Sequence, residues 1–365
     1  MTVKTDFWHF PRTELAQQVL GLFENGLSSA LVFFAPRRMG KTEFLLKDIQ
    51  PLAGKKGFET LYFSFLDSGA TSQLNFTNTL IRFADKTGLE RTSKSALTRI
   101  RKIGADVAGV GGGVLEFDSS KDKPLDILTL FTSLSKHGKI LLLLDEVQVL
   151  AQHESNHLFI AGLRTALDMH KDTIKVIFTG SSREGLRRMF SQASAPFFHF
   201  GQNLPFPELT RQFTDHLSYV YKKITKQNLD PDLLWDSFQE MDCVPQLARS
   251  LVERLALNPN LNIITAKEQL LSDVFNDRAY IEVWDKASKL EQILLNEIAS
   301  GTEGLFSDPI RQKLAKLLGI KALAVSSTQS ALRVLQRKLL VGRSPDRSGY
   351  FIDDPNFKRW LLNHE

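Results

Sequence analysis

Cysteine is almost absent: Cys243 is the only one in 365 residues. A lone thiol excludes an intramolecular disulfide framework and any zinc site built on cysteines, and it fits a reducing compartment such as the cytoplasm. Long apolar runs are missing too. No stretch approaches the roughly eighteen apolar residues of a membrane helix, and the start, MTVKTDFWHFPRTEL, has no apolar core behind a basic segment. Neither secretion nor a membrane partner is expected. With 42% hydrophobic and 24% charged residues, the composition excludes a disordered or fibrous chain. The net charge of +5 is compatible with nucleic-acid binding without requiring it. From Lys286 onward there are thirteen Lys/Arg against eight Asp/Glu, so this segment alone carries the excess of the whole chain.

The length suggests two or three compact units. Residues 12–25 space Leu15, Val19, Leu22 and Phe23 helically and stop at Asn25-Gly26. Residues 30–35 (ALVFFA) are a continuous apolar run, as in a parallel strand covered on both faces. A helix over 41–49, a strand over 58–65, a helix over 75–84 and a strand over 139–144 (KILLLL) follow. A helix over 157–170, a strand over 174–179 and a short fifth strand over 196–200 (PFFHF) complete an α/β pattern with a five-stranded, doubly wound parallel sheet. The glycine cluster within 103–120 has no strand before it and no Lys-Ser/Thr after it, so it reads as a hairpin or insertion loop. Pro205 and Pro207 mark a joint, and 208–285 is helical by periodicity. Helices over 286–300, 308–318 and 327–340, then short strands around 342–352, give a helix-turn-helix order with a wing. The expected division is 1–205, 206–285 and 286–365.

The chemistry gathers after the first strand. Ala35-Pro36-Arg37-Arg38-Met39-Gly40-Lys41-Thr42 has the pattern of a loop that holds a triphosphate through backbone N–H groups, a helix N-terminus and one flexible cation. Gly40 admits the phosphates closely, Lys41 reaches the β and γ phosphates, and the Thr42 hydroxyl is placed for Mg²⁺. Ala35 stands where glycine is usual, which costs nothing if its backbone is extended. Arg37 and Arg38 touch phosphate, meet a neighbouring subunit or are solvated.

Asp145 and Glu146 end a four-leucine strand, at the sheet edge where open α/β folds bind ligands. Asp145 is expected to hold Mg²⁺ through water and Glu146 to orient the attacking water. Either could instead cap the segment that follows. Thr179, Ser181 and Ser182 end the next strand. Ser181 is the chosen partner of the γ phosphate or water, and T-G-S-S serves equally as a helix cap.

These residues resemble the AAA+ and related signal-transduction ATPases, above all the archaeal-type ATPase group. The resemblance covers most of the chain. It rests on R-x-E-L (Arg12, Glu14, Leu15), P-R-R-M-G-K-T, L-L-L-L-D-E, F-T-G-S-S at 178–182, C-V-P at 243–245 and the closing G-Y-F-I-D-D-P-N-F-K-R-W-L at 349–361. It implies a P-loop ATPase core, a helical lid and a winged helix, with ATP bound by 35–42, Glu43 and the Arg12 segment near adenine. It also implies rearrangement on ATP hydrolysis, often within an oligomer. Cys243 and Gln246 replace the Gly and the γ-phosphate-sensing Arg of many relatives. Arg249, one turn on, either substitutes or is a surface arginine. For an arginine finger the resemblance points to Arg183, Arg187 and Arg188, of which Arg187 is the choice.

Ser327, Thr328, Gln329, Arg333, Arg337 and Lys338 fall on or near the third helix of the winged unit, with Arg343 and Arg347 in the wing. That order suits DNA, with polar residues at base edges and cations at phosphates. Asp346, Asp353 and Asp354 interrupt it. The leading expectation is an ATP-dependent switch or motor acting on DNA. A signalling ATPase whose winged helix binds protein and a scaffold with little turnover are the others.

Overall fold

Short apolar runs become the strands of one parallel sheet in a computed structural model that describes residues 6–66, 71–86, 127–136, 138–152, 154–190, 195–275, 278–343 and 349–363. The strands are β1 (Ala30–Phe34), β2 (Phe58–Ser64), β3 (Lys139–Asp145), β4 (Ile174–Gly180) and β5 (Gln202–Pro205), in spatial order β2-β3-β4-β1-β5. Every pairing is parallel. β3 and β4 are buried along nearly their whole length, as strands covered on both faces must be. β2 alternates and β5 is largely exposed, as edges do.

Helices cover both faces. α1 (Thr13–Glu24) and α2 lie on one, together with α7 (Arg211–Thr225), α8 (Pro231–Glu240), α9 (Pro245–Leu257) and α10 (Ile263–Phe275), in a core with Phe33, Leu141 and Ile177. α3 (Ser72–Lys86), α4 (Ile127–Leu134), α5 (His157–Met169) and α6 (Arg183–Phe190) cover the other, around Phe178 and Leu142. α2 departs from the expected 41–49: it runs as Lys41–Glu43, a π-helical segment Phe44–Ile49, then Gln50–Lys55. Pro51 sits at the start of that last segment, and the wider π turn absorbs its missing N–H.

The fifth strand is not at 196–200, as the sequence suggests. Those residues form a turn, and β5 begins after Gly201 (φ 85°). Phe197 and Phe200 are both buried, a three-residue spacing that a strand of period two cannot give. Both pack on Phe178, with centroids 5.3 and 6.3 Å away. Arg164 on α5 pins the turn by donating to the carbonyls of Pro196 and Phe198, at 3.1 and 3.0 Å.

The carboxyl-terminal residues gather around a third apolar cluster. α12 (Lys289–Ala299), α13 (Asp308–Leu318) and α14 (Val325–Arg337) precede an antiparallel pair, β6 (Val341–Arg343) and β7 (Tyr350–Ile352). This is the helix and hairpin order of a winged helix. α15 (Pro355–Asn363), unforeseen in the sequence, closes the cluster with Phe357, Trp360 and Leu361. Tyr280 of α11 (Arg278–Asp285) packs in the same cluster. The unit docks on the sheet end, where the Ser182 hydroxyl donates to Asp353 at 2.7 Å, and on the turn between α8 and α9, where Arg359 donates to Asp242 at 2.7 Å. Residues 103–120 lie outside the described ones, and among those described no helix is long and apolar enough to cross a membrane.

Candidate nucleotide site

β1 delivers the chain into the glycine loop without strain at its first residue. The Ala35 N–H still bonds the Gly180 carbonyl at 3.4 Å, and the left-handed residues of the loop are Arg38 (φ 70°) and Gly40 (φ 89°). Alanine at position 35 is therefore free of conformational cost, and the strained non-glycine residue is Arg38. Lys41 is buried, and its ammonium donates to the carbonyls of Ala35 at 2.6 Å and Pro36 at 2.9 Å. Burial pulls its pKa below the ordinary lysine value, while Glu146 and Asp145 oppose that shift.

The acid pair divides at one peptide. Asp145 is buried and accepts from the Thr42 hydroxyl at 2.6 Å, the Tyr62 hydroxyl at 3.1 Å, the Glu146 N–H at 3.1 Å and the Thr179 hydroxyl. Glu146 is left-handed (φ 56°), which sends its carboxylate the other way, to accept from the Ser181 hydroxyl at 2.6 Å and from the Gln148 amide. Because β4 lies between β1 and β3, the hydroxyls at its end stand between the lysine loop and the acids. Burial, reinforced by Asp145, raises the Tyr62 pKa and keeps it a neutral donor.

A cleft of about 410 Å³ opens over Lys41, Thr42 and Glu146, flanked by Arg37, Arg38 and Gln246. Thr42 and Asp145 offer adjacent hard oxygens, which suits a Mg²⁺ ion that takes one or two protein oxygens and otherwise phosphate and water. Among the described residues no group of three or more His, Cys, Asp or Glu could hold a metal by itself.

Arg12 lines a smaller cavity beside the cleft. It donates to the carbonyls of Pro207 at 2.5 Å and, at the limit of hydrogen-bond range, Met39 at 3.5 Å, and its guanidinium stacks 4.3 Å over Phe206. Burial pushes its pKa down to about 10, against the pull of Asp48. Arg249 is no solvated surface arginine: α9 points it across the cleft, where it pairs with Glu43 at 2.8 Å and donates to the Trp8 carbonyl at 2.9 Å. The left-handed pair Asp242 and Cys243 aims α9 this way. Glu43 is thus engaged by Arg249 and Lys47. Arg187 and Arg188 are half-buried on α6, with contacts of their own, and do not line the cleft. The Arg183 side chain lies outside those described.

Tyr62, Gln148, His9 and Asp48 went unnoticed in the sequence. Tyr62 meets Asp145 only because β2 pairs with β3 in a register that puts Ser64 beside Asp145. Gln148 follows the acid pair closely, and that proximity was the one legible signal for it.

A family model for an ATPase domain predominantly from Archaea matches residues 10–197, just over half of the chain. No curated protein matches the sequence. Among solved structures, a Walker-type ATPase of Pyrococcus abyssi superposes with a TM-score of 0.65 at 15% identity, covering 97% of this chain and 99% of its own. The ORC2 protein of Aeropyrum pernix, solved in ADPNP–ADP complexes, gives 0.54 at 16% identity, over 96% and 91%. Its ADP form gives 0.52 at 16%, over 96% and 90%. At these identities the likeness is one of fold.

Proposed function

The chain belongs to the family of ATPase domains found predominantly in archaea, and from that premise we propose that this ATPase is a switch acting on DNA through its C-terminal unit. The division into a core (1–205), a helical lid (206–285) and a winged helix (286–365) is part of the proposal. ATP lies in the cleft with its phosphates over Gly40 and Lys41 and its base towards Arg12. The Lys41 ammonium leaves the carbonyls of Ala35 and Pro36 for the β and γ phosphates. Thr42 and Asp145 hold Mg²⁺, which when bound draws charge from the phosphate oxygens.

Glu146 accepts the proton of the attacking water, whose oxygen bonds the γ phosphorus as the bond to the bridging oxygen breaks, leaving ADP and phosphate. Ser181 and Gln148 fix the carboxylate for that task. The observation that carries this reading is the convergence of Thr42 on Asp145 and of Ser181 on Glu146 from separate strands. Arg249, spanning from α9 to Glu43, couples the helical unit to the cleft's contents. Arg187 acts in a neighbouring copy's site if the chain oligomerises.

For DNA the support is α14. Ser326, Ser327, Gln329, Ser330, Arg333 and Arg337 are exposed, mostly along one face, with Arg343 beyond. Thr328, counted with them from the sequence, is buried and unavailable to a base. Glu146→Gln should bind ATP as tightly as wild type and hydrolyse none. Wild-type turnover absent both with and without DNA would refute hydrolysis here. DNA affinity should fall linearly in log–log salt plots. Salt-insensitive binding, or none, would favour a protein partner for the winged unit.

A further inference from the structure

Beside the nucleotide cleft, sharing Gly40, Glu43, Pro245 and Arg249 with it, is a small cavity against α2. Only about 20 Å³ of it admits water. Three buried side-chain atoms without a hydrogen-bond partner belong to residues of its wall: Asp48 Oδ2, His9 Nδ1 and Arg249 Nε. Unpaired buried polar atoms are destabilising, and three in one wall mark a place where something else completes the bonding. Phe10, Phe44 and Leu209 supply apolar surface for a flat ring.

The chemistry of the wall is specific. Asp48 is 8% exposed, and His9 Nε2 lies 2.7 Å from its Oδ1. Among these partnerless atoms the Asp48 carboxylate oxygen is an acceptor and the Arg249 Nε–H a donor. Asp48 follows Lys41 by seven residues on the same helix, at most about 10 Å since the α-helical rise of 1.5 Å per residue shortens through the π-helical turn, a span that ribose and base cover.

We propose that Asp48, held by His9, reads the exocyclic amine of the nucleotide base, so that the site selects a 6-amino purine triphosphate over a 6-oxo one. Asp48 Oδ2 accepts one N–H of the amine, and Arg249 Nε donates to a neighbouring ring nitrogen. A purine needs the cavity to widen, and the wall that yields is the Arg249 bridge to Trp8 and Glu43. The inference rests on the reading that ATP occupies the adjoining cleft.

The test titrates the full chain with ATP, ITP, GTP and tripolyphosphate, each with Mg²⁺. Wild type should bind ATP at least tenfold tighter than ITP or GTP. A site built to bond a group rejects the analogue that lacks it. Asp48→Asn places an N–H where Oδ2 was and should lower the ATP to ITP ratio at least tenfold, with tripolyphosphate affinity unchanged. Wild-type affinities for ATP and ITP within twofold, tighter GTP, or an unchanged ratio in Asp48→Asn would overturn the inference alone. Binding of none of the four by wild type would overturn the cleft reading and this inference with it. The wild-type ratio decides even if the variant does not fold.

Discussion

Gly180→Ala tests how Glu146, the carboxylate we propose as catalytic, is held. Gly180 ends β4 and does not have a left-handed backbone, so alanine suits its conformation; space is what it lacks. A Cβ there would lie 2.5 Å from Gln148 Oε1 and 2.8 Å from two side-chain carbons of Leu186. Gln148 is buried and its amide bonds both Glu146 and Ser181. Gly185 lies close to the same glutamine, since a Cβ built there would come within 2.7 Å of Gln148 Cβ. Overpacking of this kind costs about 1–3 kcal/mol, a melting-temperature loss of roughly 2–12 °C for a unit of this size. Shifting Glu146 by about 1 Å lowers kcat about a hundredfold. The clash is with Gln148 and Leu186 and not with Gly40, Lys41 or Thr42, so nucleotide affinity should fall less than kcat. The assay is steady-state phosphate release with thermal melts, repeated in a Gln148→Ala background. There Gly180→Ala should lower kcat no further, although the Leu186 contact still lowers the melting temperature. An equal loss of kcat in both backgrounds would refute transmission through Gln148.

Lys41→Ala should abolish detectable ATP binding by calorimetry, and Asp145→Asn should leave binding that no longer responds to Mg²⁺; unchanged titrations in both would contradict the site. The Glu43 carboxyl is held below the ordinary value of 4.5: its burial opposes ionisation, and the bonds from Arg249 and Lys47 outweigh that. Its lower folded-state pKa means that the stabilisation is complete above that ordinary value and disappears as pH falls through the folded one. Glu43→Gln should therefore melt below wild type at neutral pH and converge with it in acid, and a gap that widens on acidification would reverse the sign. Ser182→Ala removes the 2.7 Å bond to buried Asp353, costs about 1–3 kcal/mol and should expose the C-terminal unit to proteolysis sooner; an unaltered cleavage rate would show that the bond does not hold the unit.

Local chemistry made much of this protein legible. The strand and glycine loop at 30–40, and the acids closing a leucine run, are dictated by neighbours in sequence and stand where expected, whereas the helix expected over 41–49 carries a π-helical turn and runs on to Lys55. Propensity misled at 196–200, because aromatic residues favour strands and also fill cores. Five contacts among four rings, Phe178, Phe190, Phe197 and Phe200, won that competition through packing that no local window contains. Arg249 misled for a related reason: its helix reads as amphipathic, and only the left-handed turn before it decides that the guanidinium spans the cleft.

The amino-acid order by itself determined the glycine loop and the acid pair to which we assign triphosphate, metal and water, since each is a short motif whose backbone requirements are local. Which residues complete them was decided by the sheet. Placing β4 between β1 and β3 brings Thr179 and Ser181 to the acids, pairing β2 with β3 brings Tyr62, and folding α9 over α2 brings Arg249 to Glu43. Those encounters join residues up to about two hundred positions apart, and hydrogen bonds act over 3 Å whatever the distance along the chain.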